Sequence, residues 1–145
     1  MFRNPIYFVH HDLGTWTDLC AKDEPPSPAE YGKRLRDGND NWALQTYFEL
    51  KRRAFNVHIV PRPVPDKICV AHYDDIHLKE MPTRCFLVGV RGDRPGICVS
   101  ALNVVQNKHG IHEGRDFFMP HWSQPGLIPR NPSRGAEIRK IGYMG

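Results

Sequence analysis

The chain has 145 residues, of which 40% are hydrophobic and 25% charged, and its formal net charge is +4. These values fit one globular domain with a single core, and they exclude a wholly disordered chain or a pair of full domains. No apolar run approaches the ~20 residues of a membrane span, and the N-terminal stretch turns polar too soon for a signal peptide. We therefore expect a cytoplasmic protein without a membrane span. The modest positive charge accompanies no nucleic-acid recognition motif, so nucleic acid is not an expected partner.

The first half of the chain predicts a strand, a long loop, a helix and a second strand. The run PIYFVHH at residues 5–11 is rich in β-favouring residues, and the loop that follows at 12–38 contains three helix-breaking prolines. Within it, residues 28–35 can form a short helix that begins at proline. The segment NDNWALQTYFELKRRAF at 39–55 has apolar residues at helical spacing, with Asn39 or Asp40 as its cap. The strand NVHIVP follows at once, which predicts a parallel pair with the first strand.

The second half predicts further strands at KICVAHYDDI and RCFLVGVRGD. The stretch RPGICVSALNVVQNKHG allows two interpretations: a long strand that forms a hairpin with the preceding one, or a helical turn from Pro95 followed by a strand over 103–106. We favour the second, because Gly96, Ser100 and Ala101 permit close packing. A proline-rich loop over 119–135 and a closing strand over 136–145 complete a single α/β domain spanning 1–145. The expected fold is a Rossmann-like open, mostly parallel sheet of five to six strands flanked by helices.

Polar side chains collect where the predicted strands end, which is where open α/β sheets bind ligands. The most suggestive group is His10, His11 and Asp12, because an imidazole beside a carboxylate can accept a proton from a hydroxyl group near neutral pH. Adjacent residues of a strand face opposite ways, so only one of the two histidines can face a given cleft. The alternative is that one histidine packs in the core and the other is only solvated.

The other strand ends have a chemical and a structural interpretation. Asp74 and Asp75 can orient a histidine base, or they can cap a turn. Asn107 and Lys108 can contact a hydroxylated or anionic ligand, or they can form a turn with glycine. The sequence contains no HxH, HExxH or DxD element, so we expect no metal site. The four cysteines have no CxxC spacing, which predicts buried, reduced thiols.

Several segments together resemble the N-terminal half of glycosyltransferases of the GT-B architecture: PIYFVHHDLGTW, FELKRRAFNVHIVPR, VGVRGDRP, NVVQNK and QPGLIPR. In that family the N-terminal domain binds the acceptor and supplies a base near the end of its first strand, and the C-terminal domain binds the nucleotide sugar. The resemblance implies that His11 or His10, with Asp12, provides the base. It implies acceptor contacts from these residues: Gly14, Thr15, Trp16, Asp74, Asp75, Asn107 and Lys108.

The resemblance also implies a division of labour between domains. The chain would hold no cofactor itself, would meet its nucleotide sugar through a C-terminal donor-binding domain, and would be inactive alone. A predicted strand that runs to Gly145 is consistent with continuation into such a domain. Two alternatives stay open: a non-catalytic binding or scaffold module with the same fold, and a metal-dependent hydrolase that uses His10, His11, Asp74 and His77.

Overall fold

The computed structural model describes residues 4–82, 84–92, 94, 99–111, 114–127 and 131–135 of the chain. These residues contain a six-stranded sheet in which every neighbouring pair is parallel. In chain order its strands are β1 (Ile6–Val9), β2 (Val57–Val60), β3 (Ile68–His72), β4 (Phe86–Gly92), β5 (Leu102–Val105) and β6 (Asp116–Phe118). The predicted open, Rossmann-like α/β fold is confirmed.

The strand order is β2-β1-β3-β4-β5-β6, so the chain adds one strand on one side of β1 and all later strands on the other. Val9, near the end of β1, lies level with Val60 of β2 and Ala71 of β3. The direction of strand addition therefore reverses between β1 and β3. In open parallel sheets a crevice forms outside the carboxyl ends of the strands at this switch point, and ligands bind there.

The segment that was predicted as a long loop folds into short helical turns. Two of them are α-helical, α1 (Thr17–Cys20) and α2 (Pro28–Tyr31), and 3-10 turns lie at Leu13–Trp16 and Gly32–Arg34. The helix predicted to begin at proline is present, and a capping box holds it: Ser27 caps the first turn while Glu30 Oε2 accepts the backbone N–H of Ser27 at 2.7 Å. Reciprocal capping of this kind stabilises a helix too short to form alone.

The principal helix is also confirmed, and its start is unusual. It opens with a π-helical turn at Asp40–Leu44 and continues as α3 (Gln45–Arg52). The prediction that Asn39 or Asp40 caps it was wrong. The carboxylate of Asp37 accepts the backbone N–H of Asp40 at 2.9 Å, while Asn39 has helical dihedral angles and makes no cap bond. Because Asp37 supplies the cap, the side chains of Asn39 and Asp40 can instead hydrogen-bond residues at the ends of the strands.

The two faces of the sheet are covered unequally. Against one face packs a large cluster to which all three α-helices contribute, and its buried members are Phe8, Trp16, Leu19, Tyr31, Trp42, Leu44, Tyr47, Phe48, Val57, Val90 and Val104. The second cluster holds only Val9, Cys69, Ala71 and Leu87 as buried members, with connecting-segment residues such as Val64, Ile76 and Met81 packed on them. Alternation along the strands separates the two clusters, since neighbouring residues of a strand point to opposite faces.

The far end of the sheet resolves one open alternative. β5 pairs parallel with β4, so the hairpin interpretation was wrong and the favoured strand is confirmed; the helical turn proposed from Pro95 lies largely outside the described residues. β6 was not predicted. Ser123 of the proline-rich loop contacts the principal helix, where Gln45 Nε2 donates to its carbonyl at 2.7 Å. The predicted closing strand over 136–145 lies outside the described residues.

Two further expectations concern cysteines and membranes. Cys20, Cys69 and Cys85 are free thiols, with Cys69 buried and the other two half-buried. Among the described residues there is no helix with the length and apolar character to cross a membrane.

Candidate functional site

The candidate site lies at the switch point, where the ends of β1 and β3 meet the start of the principal helix. His10 and His11 directly follow β1 and their side chains differ in environment, as the pleat requires. The backbone N–H of His10 still pairs with the carbonyl of Val60 at 2.9 Å, so the extended geometry continues through it. His10 is 1% exposed, whereas the side chain of His11 is 36% exposed.

His10 belongs to a hydrogen-bonded network with Asp40 and Arg36, in which His10 and Asp40 are buried and Arg36 is half exposed. Its Nε2 lies 2.9 Å from Asp40 Oδ1, and Asp40 is completely buried. The other carboxylate oxygen accepts both the backbone N–H and the Nε of Arg36 at 2.9 Å. Burial alone would raise the pKa of Asp40, but the hydrogen bonds from Arg36 and His10 outweigh it and lower that pKa. An ionised carboxylate only accepts hydrogen bonds, so His10 carries its proton on Nε2.

In this network His10 has a structural role, because it is buried and hydrogen-bonded to Asp40. Its Nδ1 is buried and finds no hydrogen-bond partner within the described part of the chain. An imidazole that is sealed from solvent and tied to an inward-facing carboxylate has no route to a ligand in the crevice. Of the two histidines, only His11 is placed to meet one.

His11 lies in a group that we call the switch-point cluster: His11, Asn39, Asp75, His77 and Glu80. Asp75 Oδ1 is 3.6 Å from His11 Nδ1 and also accepts the backbone N–H of His11 at 3.4 Å. Glu80 Oε2 is 3.8 Å from His11 Nε2, and the His77 ring stands tilted against the His11 ring at 4.1 Å between centroids. An accessible imidazole beside carboxylates is a side chain that can accept a proton from a hydroxyl group.

Asp75 is the buried anchor of this cluster. Its side chain is 5% exposed, and its second oxygen accepts a hydrogen bond from Asn39 Nδ2 at 2.7 Å. A buried carboxylate needs such donors, because desolvation without hydrogen bonds is unfavourable. The Asp75 carboxylate therefore joins β1, the turn after β3 and the start of the principal helix.

The other residues predicted after β1 have mixed placements. Asp12 is exposed and its carboxylate pairs with Arg36 at 2.7 Å. Gly14 and Thr15 lie on the exposed 3-10 turn that follows, where Thr15 Oγ1 donates to the carbonyl of Asp12 at 3.2 Å. Trp16 is 1% exposed and packs within the large hydrophobic cluster, so its ring is not on the crevice surface.

The residues after β3 divide in the same way. Asp75 faces inward, whereas Asp74 is exposed and its Oδ2 lies 3.4 Å from His72 Nδ1. Burial lowers the pKa of His72, and this effect outweighs the nearby Asp74 carboxylate, which would raise it. No group of three or more histidine, cysteine or acidic side chains in the described residues is arranged to hold a metal ion. His10, one of the four proposed hydrolase ligands, is engaged by Asp40.

Asn107 and Lys108 follow β5 and are separated from the switch point. β5 lies three strand positions from β1, which is about 14 Å at the usual strand spacing. Asn107 Oδ1 accepts the backbone N–H of His109 at 3.0 Å and so closes a 3-10 turn, and Lys108 Nζ stands 5.1 Å from the centre of the Phe118 ring. The structural interpretation describes Asn107 well, and neither side chain joins the switch-point cluster.

Sequence reasoning missed four participants: Arg36, Asn39, Asp40 and Glu80. Asn39 and Asp40 were assigned to a cap because they precede a helix, whereas Arg36 and Glu80 lie in connections without a recognisable motif. No local pattern identifies them, since their role depends on where the helix and the connection dock against the sheet.

The fold and the cluster define an open, parallel α/β protein with a histidine-carboxylate site at its switch point. Comparison with models of known protein families, with curated proteins and with solved structures found no match for this chain.

Proposed function

We propose that the chain is the acceptor-binding half of a nucleotide-sugar-dependent glycosyltransferase, with His11 as the general base. The reaction is displacement of a nucleoside diphosphate by an acceptor hydroxyl, and the nucleotide sugar is held by a second, donor-binding domain. The observation that carries the proposal is the accessible imidazole of His11 at the end of β1, with the buried carboxylate of Asp75 beside its Nδ1.

The arrangement suits that chemistry for a physical reason. Nδ1 of His11 faces Asp75, so Nε2 is the nitrogen that can take the proton of an approaching hydroxyl group. Asp75 then stabilises the charge that develops on the ring. Glu80 lies near Nε2 and is itself exposed, so it can move aside or hydrogen-bond a second hydroxyl of the acceptor.

Binding to the isolated chain provides the first test. Sugars and other hydroxylated acceptors are titrated against the chain while NMR follows its histidine side chains, and nucleotide sugars are titrated in parallel. The proposal expects acceptors to shift the signals of His11 and His77, and it expects no turnover of nucleotide sugars by the chain alone. Turnover by the isolated chain would contradict the division of the site between two domains.

Activity provides the second test, with the chain supplied with a donor-binding domain. His11→Ala is expected to lower the transfer rate by about 100-fold or more, the usual size of a general-base contribution. The matched control is His58→Ala, because His58 is an exposed histidine in the middle of β2 and lies outside the cluster. If His11→Ala and His58→Ala retain equal activity, the chain is better described as a non-catalytic binding module.

A further inference from the structure

We propose that Cys69, Cys85 and Met81 form a binding site for a soft monovalent metal ion, copper(I), on the face of the sheet that the second hydrophobic cluster covers. All three sulfur-bearing side chains belong to that cluster, in which Cys69 is buried while Cys85 and Met81 are partly buried. The site goes beyond the proposed function, because it lies toward the amino ends of β3 and β4, whereas the switch point lies at the carboxyl ends of the strands.

The pairing of β3 with β4 brings the two cysteines to one place. Cys69 lies level with Leu87 in this parallel pair. The pairing is complete at the start of β4, where the backbone N–H of Phe86 donates to the carbonyl of Lys67 at 3.0 Å. Cys85 precedes Leu87 by two residues, so the side chains of both lie on the same face as that of Cys69. The thiol of Cys85 lies within hydrogen-bonding reach of the Cys69 side chain.

The environment of Cys69 suits a sulfur atom that binds a metal ion. Its Sγ accepts the backbone N–H of Val64 at 3.3 Å, and the other buried members of the cluster are apolar: Val9, Ala71 and Leu87. Hydrogen bonds to the sulfur atoms and a hydrophobic shell are two means by which proteins tune thiolate-bound metals. These apolar side chains carry no oxygen atoms, so the cluster disfavours hard cations such as magnesium and calcium.

The protonation of the thiols adds to this selectivity. Burial, followed by the neighbouring Cys69 thiol, raises the pKa of Cys85 to about 12, so the Cys85 thiol stays protonated at neutral pH when no metal ion is bound. A soft metal ion displaces thiol protons, because thiolate and thioether ligands select copper(I). Binding converts two thiols and Cu⁺ into a copper dithiolate with one negative charge and releases two protons, while the copper stays in its +1 state.

Zinc(II) fits these ligands less well than copper(I). A structural zinc site uses four ligands from cysteine, histidine and carboxylate side chains. Within the described part of the chain no three such side chains are arranged around a metal ion, and the carboxylate nearest in sequence to Cys69, that of Asp66, pairs with Arg84 at 2.8 Å. Two thiolates and one thioether instead match copper(I), which needs fewer ligands than zinc.

A surface crevice gives a metal ion access to the site. The crevice has a volume of about 390 Å³, and Cys85 forms part of its wall beside Phe86 and Ile68. Cys69 is fully buried behind this wall. An incoming ion therefore meets the sulfur of Cys85 first and that of Cys69 second.

The test is an anaerobic titration of the full chain with copper(I), in competition with a chromophoric copper(I) chelator. Wild-type protein should bind one copper(I) per chain, with an affinity that rises with pH because protons are displaced. Cys85→Ser should weaken binding by about 100-fold or more, since loss of a ligand costs at least as much as loss of a residue that supports one. Met81→Leu keeps the side-chain volume and should weaken binding by about tenfold.

Matched controls exist for both kinds of ligand. Cys20 is another half-buried free thiol and Met119 is an exposed methionine, and neither belongs to the second cluster. Cys20→Ser and Met119→Leu should therefore bind copper(I) as wild type does. Because Cys85 is only partly buried, Cys85→Ser stays informative if Cys69→Ser unfolds.

Three results would overturn the proposal. The first is that wild-type protein takes up no copper(I) in competition with the chelator. The second is that a folded Cys85→Ser or Met81→Leu variant binds copper(I) as tightly as wild type. The third is that zinc(II), titrated in parallel, binds to the same cysteines as tightly as copper(I).

Discussion

Replacement of Asp40 provides the sharpest test of how the site is held to the fold. In Asp40→Ala the buried Nε2–H of His10 and the donors of Arg36 lose their acceptor at once. The half-exposed side chain of Arg36 can return to water, but the buried Nε2–H of His10 is left without an acceptor. A buried donor without an acceptor costs about 1–3 kcal/mol, and we expect a loss of that size in the free energy of unfolding. Asp40→Asn keeps the shape and part of the hydrogen bonding, so its expected loss is smaller, about 0.5–1.5 kcal/mol.

The chain offers a matched control on the same guanidinium group. Asp12 also pairs with Arg36, at 2.7 Å, but the side chains of Asp12 and Arg36 are 51% and 49% exposed. Exposed ion pairs contribute about 0–1 kcal/mol, because solvent screens them and both side chains lose freedom. Asp12→Asn is therefore expected to change the free energy of unfolding by less than about 1 kcal/mol.

The assay is urea unfolding of the three variants at neutral pH and at a series of lower pH values. The pKa of Asp40 is lowered in the folded protein from an ordinary value of 3.8. Its contribution is therefore fully present above that ordinary pKa and is lost as the pH falls through the lower, folded pKa. Wild-type protein should lose stability over this acid range more steeply than Asp40→Asn.

Two results would refute this reasoning. One is a loss in Asp40→Ala no larger than that in Asp12→Asn, which would mean that the pair is not effectively buried. The other is an identical acid dependence for wild type and Asp40→Asn, which would mean that Asp40 does not titrate with a lowered pKa.

Three further predictions concern packing and ionisation. Gly32→Ala should lower the free energy of unfolding by about 1–3 kcal/mol through overpacking, because the new Cβ would lie 2.3 Å from a side-chain carbon of Pro125. In Gly38→Ala the new Cβ meets open space, so urea unfolding should show no comparable loss; equal effects would contradict the tight contact at Gly32. Burial and a hydrogen bond to the Glu49 carboxylate raise the pKa of Tyr31 from 10.0 to about 12, so the free energy of unfolding should fall as the pH rises through that interval. Tyr31→Phe should show a smaller fall, and identical alkaline unfolding profiles for the two proteins would contradict the raised pKa. Burial raises the pKa of Cys20 from 9.0 to about 11, which lowers its thiolate fraction near neutral pH in the folded chain. Because a thiolate of higher pKa is also more nucleophilic, its alkylation should be about tenfold slower in the folded than in the urea-unfolded chain, and equal rates would contradict the raised pKa.

The sequence was sufficient to predict most of the fold. The strands β1 to β5 and the principal helix were predicted from apolar runs and helical spacing, because burial on a sheet or beneath a helix imposes those patterns. β6 was missed, since Asp116–Phe118 spans only three residues and shows too little alternation. The parallel pairing of β1 with β2 was predicted and is confirmed. The rest of the strand order could not be predicted from local patterns, because it depends on which pairs of strands pack best in three dimensions.

The sequence predicted the residues that the strand ends contribute to the site, but not those that the principal helix contributes. Polar residues after a buried strand directed attention to His10, His11 and Asp75, since parallel strands end at a common edge. What the sequence could not provide was the partner of each histidine. Asn39 and Asp40 carry the composition of a helix cap, and only the docking of that helix over the ends of β1 and β3 turns them toward the sheet.

The strand pleat at the end of β1 places His10 and His11 in different environments, so the two residues should differ in how well they tolerate substitution. His10 is enclosed by the fold and His11 is partly exposed to solvent, so the requirement to fold acts mainly on the first. In a library that randomises both codons, selection for folding alone should retain histidine at residue 10 and let residue 11 drift. Histidine would return at residue 11 only when selection acts on what the crevice binds.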